Sequence, residues 1–133
     1  LVQVVLVSHG PLAEALVSSA KMILRCDMEG VHAVCLTDDG IETFEKRIKA
    51  IAEQIQKEEI ILLADIKGGS PFNASLSVFR NCKFKVVTGM NLSVVIEALM
   101  NRECLSLNEI ADTAMKNGKE SIEKISLDSL LGK

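Results

Sequence analysis

Four short apolar runs alternate with longer stretches in which apolar residues recur every three or four positions. The runs cover residues 2–7, 31–36, 60–64 and 83–88. The first and third are aliphatic and mostly branched, the pattern of strands buried on both faces of a parallel sheet. After the first run, Leu12, Leu16, Ser19 with Ala20, and Ile23 fall at helical spacing and predict one inward face. Ile41, Phe44, Ile48, Ile51 and Ile55 form the clearest amphipathic stripe, with Glu42, Lys46, Lys49 and Glu53 lying outside it. A third helix opens at Pro71 and packs through Phe72, Leu76 and Phe79. Asn91 suits the cap of a fourth helix carrying Leu92, Val95, Ile96 and Leu99. Ser106 and Glu109 have capping-box spacing before a last helix with Leu107, Ile110, Ala114 and Ile122. The alternation Ile125-Ser126-Leu127 predicts a short antiparallel edge strand.

Each connection between successive runs is long enough to hold a helix, so right-handed βαβ units and a mostly parallel sheet are expected. The expected fold is therefore a doubly wound α/β sheet of order 2-1-3-4, formed by a single domain over residues 1–133. In that order the winding reverses between the first and third strands, where open α/β sheets place their ligands.

Composition narrows the function. At 48% hydrophobic residues the chain can build a substantial core. A net charge of −3, with neither Trp nor Tyr, argues against nucleic-acid binding. No apolar stretch reaches the roughly 18 residues that span a bilayer, and no signal peptide precedes Leu1. Cys26, Cys35, Cys82 and Cys104 are dispersed, without a C-x-x-C pair. They read as reduced thiols of a cytoplasmic protein with no metal site and no cofactor.

Candidate chemistry lies where two of the apolar runs end. The first runs into Ser8-His9-Gly10-Pro11, the third into Asp65-Ile66-Lys67-Gly68-Gly69-Ser70-Pro71. Each puts a reactive side chain at a strand's carboxyl end, just before glycine and a helix start. In the order 2-1-3-4 the two ends are neighbours, so His9 and Asp65 should meet. A carboxylate that accepts the N–H of one ring nitrogen fixes the histidine tautomer and leaves the other nitrogen free to attack phosphorus. Turn amides around Gly10, Gly68 and Gly69, with the amide and hydroxyl of Ser70, suit phosphoryl oxygens. The plainer reading makes His9 a turn residue, Asp65 a turn former and Ser70 an N-cap; the matched strand ends favour catalysis. His32, inside the second strand, reads as structural, and Lys67 as a solvated loop residue. The chain has no G-x-G-x-x-G turn and no G-x-x-x-x-G-K-[ST] loop, which disfavours direct nucleotide binding. Ser8 stands where an Arg-His-Gly phosphatase would need arginine.

At these residues the chain resembles the enzyme IIA component of the mannose family of the bacterial phosphoenolpyruvate-dependent sugar phosphotransferase system (PTS). The likeness runs through Ser8-His9-Gly10, the segment from Asp65 to Ala74, Thr88-Gly89-Met90-Asn91-Leu92, and Glu97-Ala98-Leu99-Met100. It implies that His9 takes a phosphoryl group from HPr and passes it to a histidine of the IIB component. It further implies that Asp65 orients His9, that Ser70 helps bind the phosphoryl group, and that membrane components IIC and IID associate indirectly. Homodimers that exchange a C-terminal strand are also implied, which would give residues 125–127 a purpose. Lys67 stands where a relative carries an aromatic residue, and Leu1 where a start methionine would be. Two other readings remain: a phosphocarrier feeding a dihydroxyacetone kinase, and a non-catalytic α/β binding module.

Overall fold

The computed structural model describes residues 1–132. Its sheet is built from β1 (Gln3–His9), β2 (Val31–Leu36), β3 (Glu59–Ala64) and β4 (Lys83–Val87). All three pairings are parallel, as the alternation of elements predicts, and the order is β2-β1-β3-β4, the one assumed from the sequence. The helices are α1 (Leu12–Leu24), α2 (Ile41–Ile55), α3 (Ser70–Phe79), α4 (Leu92–Asn101), α5 (Leu107–Glu120) and α6 (Leu127–Leu130).

Strand side chains alternate between the faces, and both faces are covered. Val4, Leu6, Ile61 and Leu63 pack in one core with residues of α1, α4 and α5. Val5, Val7, Ile60 and Leu62 enter the other core with Phe44 and Ile48 of α2 and Phe79 of α3. Continuous apolar runs are what such two-sided burial requires. Asn91 caps α4 by accepting the Val94 N–H at 2.9 Å, and Ser106 with Glu109 closes the capping box that opens α5.

Three expectations change. The buried positions of α1 are Ala13 and Ala20, with Leu16, Val17 and Leu24 partly buried, whereas Leu12 and Ile23 are exposed. Ala13 and Leu24 thus take the inward places expected of Leu12 and Ile23, while Leu16 and Ala20 lie on the expected face. Among the described residues the C-terminal segment adds no fifth strand to this sheet: Ser126 and Ser129 form a capping box, and residues 127–130 turn into α6. Likewise α5 stops at Glu120, so Ile122 lies outside it and is exposed.

A histidine–aspartate couple at the switch point

β1 carries Ser8 and His9 to the carboxyl edge of the sheet. There the Gly10 N–H donates to the Leu36 carbonyl at 2.8 Å, holding the turn against β2. Gly10 has φ +59°, a conformation that costs other residues a Cβ clash, and it turns the chain towards α1. Pro11, at the cap of α1, makes no side-chain cap bond. The hydroxyl of Ser8, fully buried, serves instead: it accepts the Ala13 N–H at 2.8 Å and donates to the Gly10 carbonyl at 3.2 Å. One otherwise unpaired donor of the first turn is thereby satisfied.

Asp65 directly follows β3, and its N–H donates to the Val7 carbonyl at 3.2 Å. The Oδ2 atom accepts the His9 backbone N–H at 2.9 Å and lies 2.7 Å from His9 Nδ1; Oδ1 accepts the Ile66 N–H at 2.9 Å. Burial alone would push this carboxyl's pKa up. The N–H donors and the neighbouring imidazole outweigh it and hold the pKa below its ordinary value. An ionised carboxylate only accepts hydrogen bonds, so the 2.7 Å contact puts the ring proton on Nδ1. Nε2 then carries the lone pair, on a side chain that is 46% exposed, whereas that of Asp65 is 11% exposed.

The loop after Asp65 closes over the ring. Gly68 has φ +83° and turns the chain back. Gly69 has an extended conformation open to any residue, but a Cβ there would sit 2.8 Å from His9 Cε1 and 3.4 Å from Nε2. Space, not backbone freedom, calls for glycine at this position. Ser70 opens α3 and is exposed, with Pro71 buried behind it. The first N–H groups of a helix have no partner within it and carry partial positive charge. The imidazole, its carboxylate and an amide-rich loop thus share one open surface. The concavity between α2 and α3, beside Lys49, Gln56 and Cys82, does not include His9.

Of the residues singled out from the sequence, His9, Asp65 and Gly69 come into contact. Gly10 adjoins His9 in the chain, while Gly68 and Ser70 flank Gly69. The Ser70 hydroxyl makes no hydrogen bond among the described residues, and Lys67 forms no ion pair among them. Ser70 begins α3, and the cap position falls one residue earlier, on Gly69. His32 is half-buried in β2, its Nε2 2.9 Å from Gln3 Oε1. Two residues escaped sequence reasoning. Ser8 was visible as a polar residue closing an apolar run. Asn73, whose Nδ2 donates to the Gly68 carbonyl at 3.1 Å, carried no signal of its own.

The fold and this couple define a doubly wound α/β protein with an oriented histidine at its topological switch point. Residues 3–115 match the family model described as the PTS system fructose IIA component, and the chain belongs to that family. The fructose-specific EIIA component of Bacillus subtilis is 27% identical over 125 residues, covering 92% of this chain and 86% of the relative. The mannose-specific EIIAB component of Escherichia coli K12 is 28% identical over 128 residues, 93% of this chain but 39% of that longer protein. Among solved structures, the mannose/sorbose-specific IIA subunit from Enterococcus faecalis superposes with a TM-score of 0.78 at 26% identity, covering 95% of this chain and 96% of that one. The chain is accordingly a mannose-family EIIA component of a sugar phosphotransferase system, a phosphotransferase-type protein of sugar transport. No helix among its described residues is long and apolar enough to cross a membrane.

Proposed function

We propose that His9 accepts a phosphoryl group at Nε2 from phospho-HPr and passes it to a histidine of a IIB component. The observation that carries this reading is the Asp65 carboxylate on Nδ1, with Nε2 left free on an exposed ring. In the first step the Nε2 lone pair forms the N–P bond while the bond from phosphorus to the donor breaks, its electron pair leaving with the donor. Asp65 keeps the Nδ1 proton in place and offsets the positive charge that develops on the ring. Amides of Gly68, Gly69 and Ser70, with the Ser70 hydroxyl, receive the phosphoryl oxygens, whereas the Gly10 N–H, expected from the sequence to join them, is committed to the Leu36 carbonyl. In the second step the acceptor nitrogen attacks phosphorus and the N–P bond to His9 breaks. An exposed imidazole suits exchange between proteins, because each partner brings its own reactive group to it.

Residues 1–133 act in this reading as one EIIA domain in the cytoplasm, reaching the IIC and IID membrane components through IIB. A homodimer belongs to the same reading. Among the described residues the outer edge of β4 has no strand partner, and Ile122, Ile125, Leu127, Leu130 and Leu131 are exposed close together in sequence. Sedimentation equilibrium at micromolar concentration is expected to give twice the monomer mass.

Intact mass after incubation with phosphoenolpyruvate, enzyme I and HPr tests the central claim. One added phosphoryl group on the wild type and none on His9→Ala is the expected result; equal labelling of both overturns it. Adding IIB should drain the label, whereas drainage by a dihydroxyacetone kinase subunit alone would assign the other acceptor.

A further inference from the structure

Asn73 makes two hydrogen bonds to the loop that faces His9. Its side-chain Nδ2 donates to the Gly68 carbonyl at 3.1 Å, and its backbone N–H donates to the Gly69 carbonyl at 2.9 Å. The second bond is the ordinary first bond of α3, but the first is not required by any helix. A trans peptide is planar, with its C=O and N–H pointing in opposite directions. Fixing the Gly68 carbonyl therefore fixes the Gly69 N–H on the opposite side of the peptide, and fixing the Gly69 carbonyl does the same for the Ser70 N–H. Gly69 itself lies against the imidazole, where a Cβ would come within 3.4 Å of Nε2. The two peptides that Asn73 holds thus flank the residue that lies against the ring.

We propose that Asn73 is a positioning residue for the phosphoryl group, holding the 68–69 and 69–70 peptides so that the Gly69 and Ser70 N–H groups face the phosphorus on Nε2. This rests on the phosphohistidine reading above. Asn73 touches neither His9 nor the phosphoryl group; it acts through the loop. Donors already aimed where charge collects need no reorganisation during transfer. Gly68, with φ +83°, has no side chain to restrict it. Without the Asn73 side-chain amide the 68–69 peptide would be free to rotate, while the 69–70 peptide keeps its backbone bond to residue 73.

The test follows the Gly69 and Ser70 amide signals of ¹⁵N-labelled protein before and after phosphorylation by phosphoenolpyruvate, enzyme I and HPr. In the wild type both amide protons are expected to move downfield as His9 is phosphorylated. In Asn73→Ala and Asn73→Asp the movement of the Gly69 amide should shrink, that of Ser70, held by the backbone bond both variants keep, should persist, and single-turnover transfer from phospho-HPr should slow by about tenfold. Asp has nearly the shape of Asn but, ionised, cannot donate to the Gly68 carbonyl, so it separates donation from packing. A loss of thermal stability with unchanged amide movement and transfer rate would reduce Asn73 to a structural role and overturn the proposal. So would a phosphorylated wild type whose two amides stay still, a result independent of whether any variant folds. A wild type that takes no label on His9 would instead remove the phosphohistidine reading, and this inference with it.

Discussion

One carboxylate oxygen of Asp65 binds both ends of His9: Oδ2 accepts the backbone N–H at 2.9 Å and lies 2.7 Å from Nδ1. The first bond fixes where residue 9 leaves the sheet, and the second fixes which way its ring faces. A two-point hold of this kind pre-organises the ring at little entropic cost during reaction.

Asp65→Asn replaces an obligate acceptor with a group that can either accept or donate at Nδ1. Where it donates, the proton moves to Nε2 and the attacking lone pair is lost. Single-turnover transfer from phospho-HPr should fall by about 10²-fold or more, with the far-ultraviolet circular dichroism spectrum unchanged. A rate equal to that of the wild type would remove Asp65 from the reaction.

The same carboxylate links stability to pH. Its pKa lies below the ordinary 3.8, because the His9 and Ile66 N–H groups and the imidazole outweigh the burial that opposes them. The folded state therefore holds the ionised form more tightly than the unfolded state does. The stabilisation is fully present above pH 3.8 and is lost as pH falls through the lower, folded-state value. Urea unfolding of the wild type should show an acid-side decline that is shallower in Asp65→Asn. Matching pH profiles for the two proteins would contradict this account.

Much of this arrangement is legible in the sequence because strands buried on both faces need unbroken apolar runs, and the two runs that end in His9 and Asp65 are unmistakable. Their adjacency followed once the strand order was assumed, and the structure has that order. The inward face of α1 was misjudged because hydropathy favours Leu12 and Ile23. Close packing selects Ala13 beside the expected Ala20, and a small side chain gives a weak periodic signal. The contact of Gly69 with the imidazole arises between residues 60 positions apart, so no local pattern encodes it. Ile125–Leu127 alternates like a strand, but the Ser126 and Ser129 hydroxyls favour a helix start when no second chain is present.

Ser8 also supports the site from below. Its buried hydroxyl is the acceptor for the Ala13 N–H at 2.8 Å. Ser8→Ala leaves that buried donor unpaired and should cost about 1–3 kcal/mol in urea unfolding. Ser8→Thr keeps the hydroxyl and should recover most of the loss. If alanine proves as stable as serine, water has taken over the bond and Ser8 does not anchor α1.

Two glycine-to-alanine variants should separate damage to the site from damage to the fold. At Gly69 the backbone suits any residue, yet a new Cβ would lie 2.8 Å from His9 Cε1 and 3.3 Å from Ile66 Cγ1. The exposed imidazole can yield by turning away, which costs little stability but breaks its alignment with Asp65. Gly69→Ala should therefore unfold within about 1 kcal/mol of wild type while transferring the phosphoryl group far more slowly. Gly118 lies in α5, where a Cβ would collide with Val94 Cγ2 of α4. Both residues are buried, and the helices cannot part without opening the core. Gly118→Ala should lose about 1–3 kcal/mol, yet its folded fraction should transfer at the wild-type rate. Paired urea-unfolding and single-turnover measurements decide the matter. If Gly69→Ala transfers normally, the ring does not need the space that glycine leaves, and the loop's close approach to His9 has no part in the reaction.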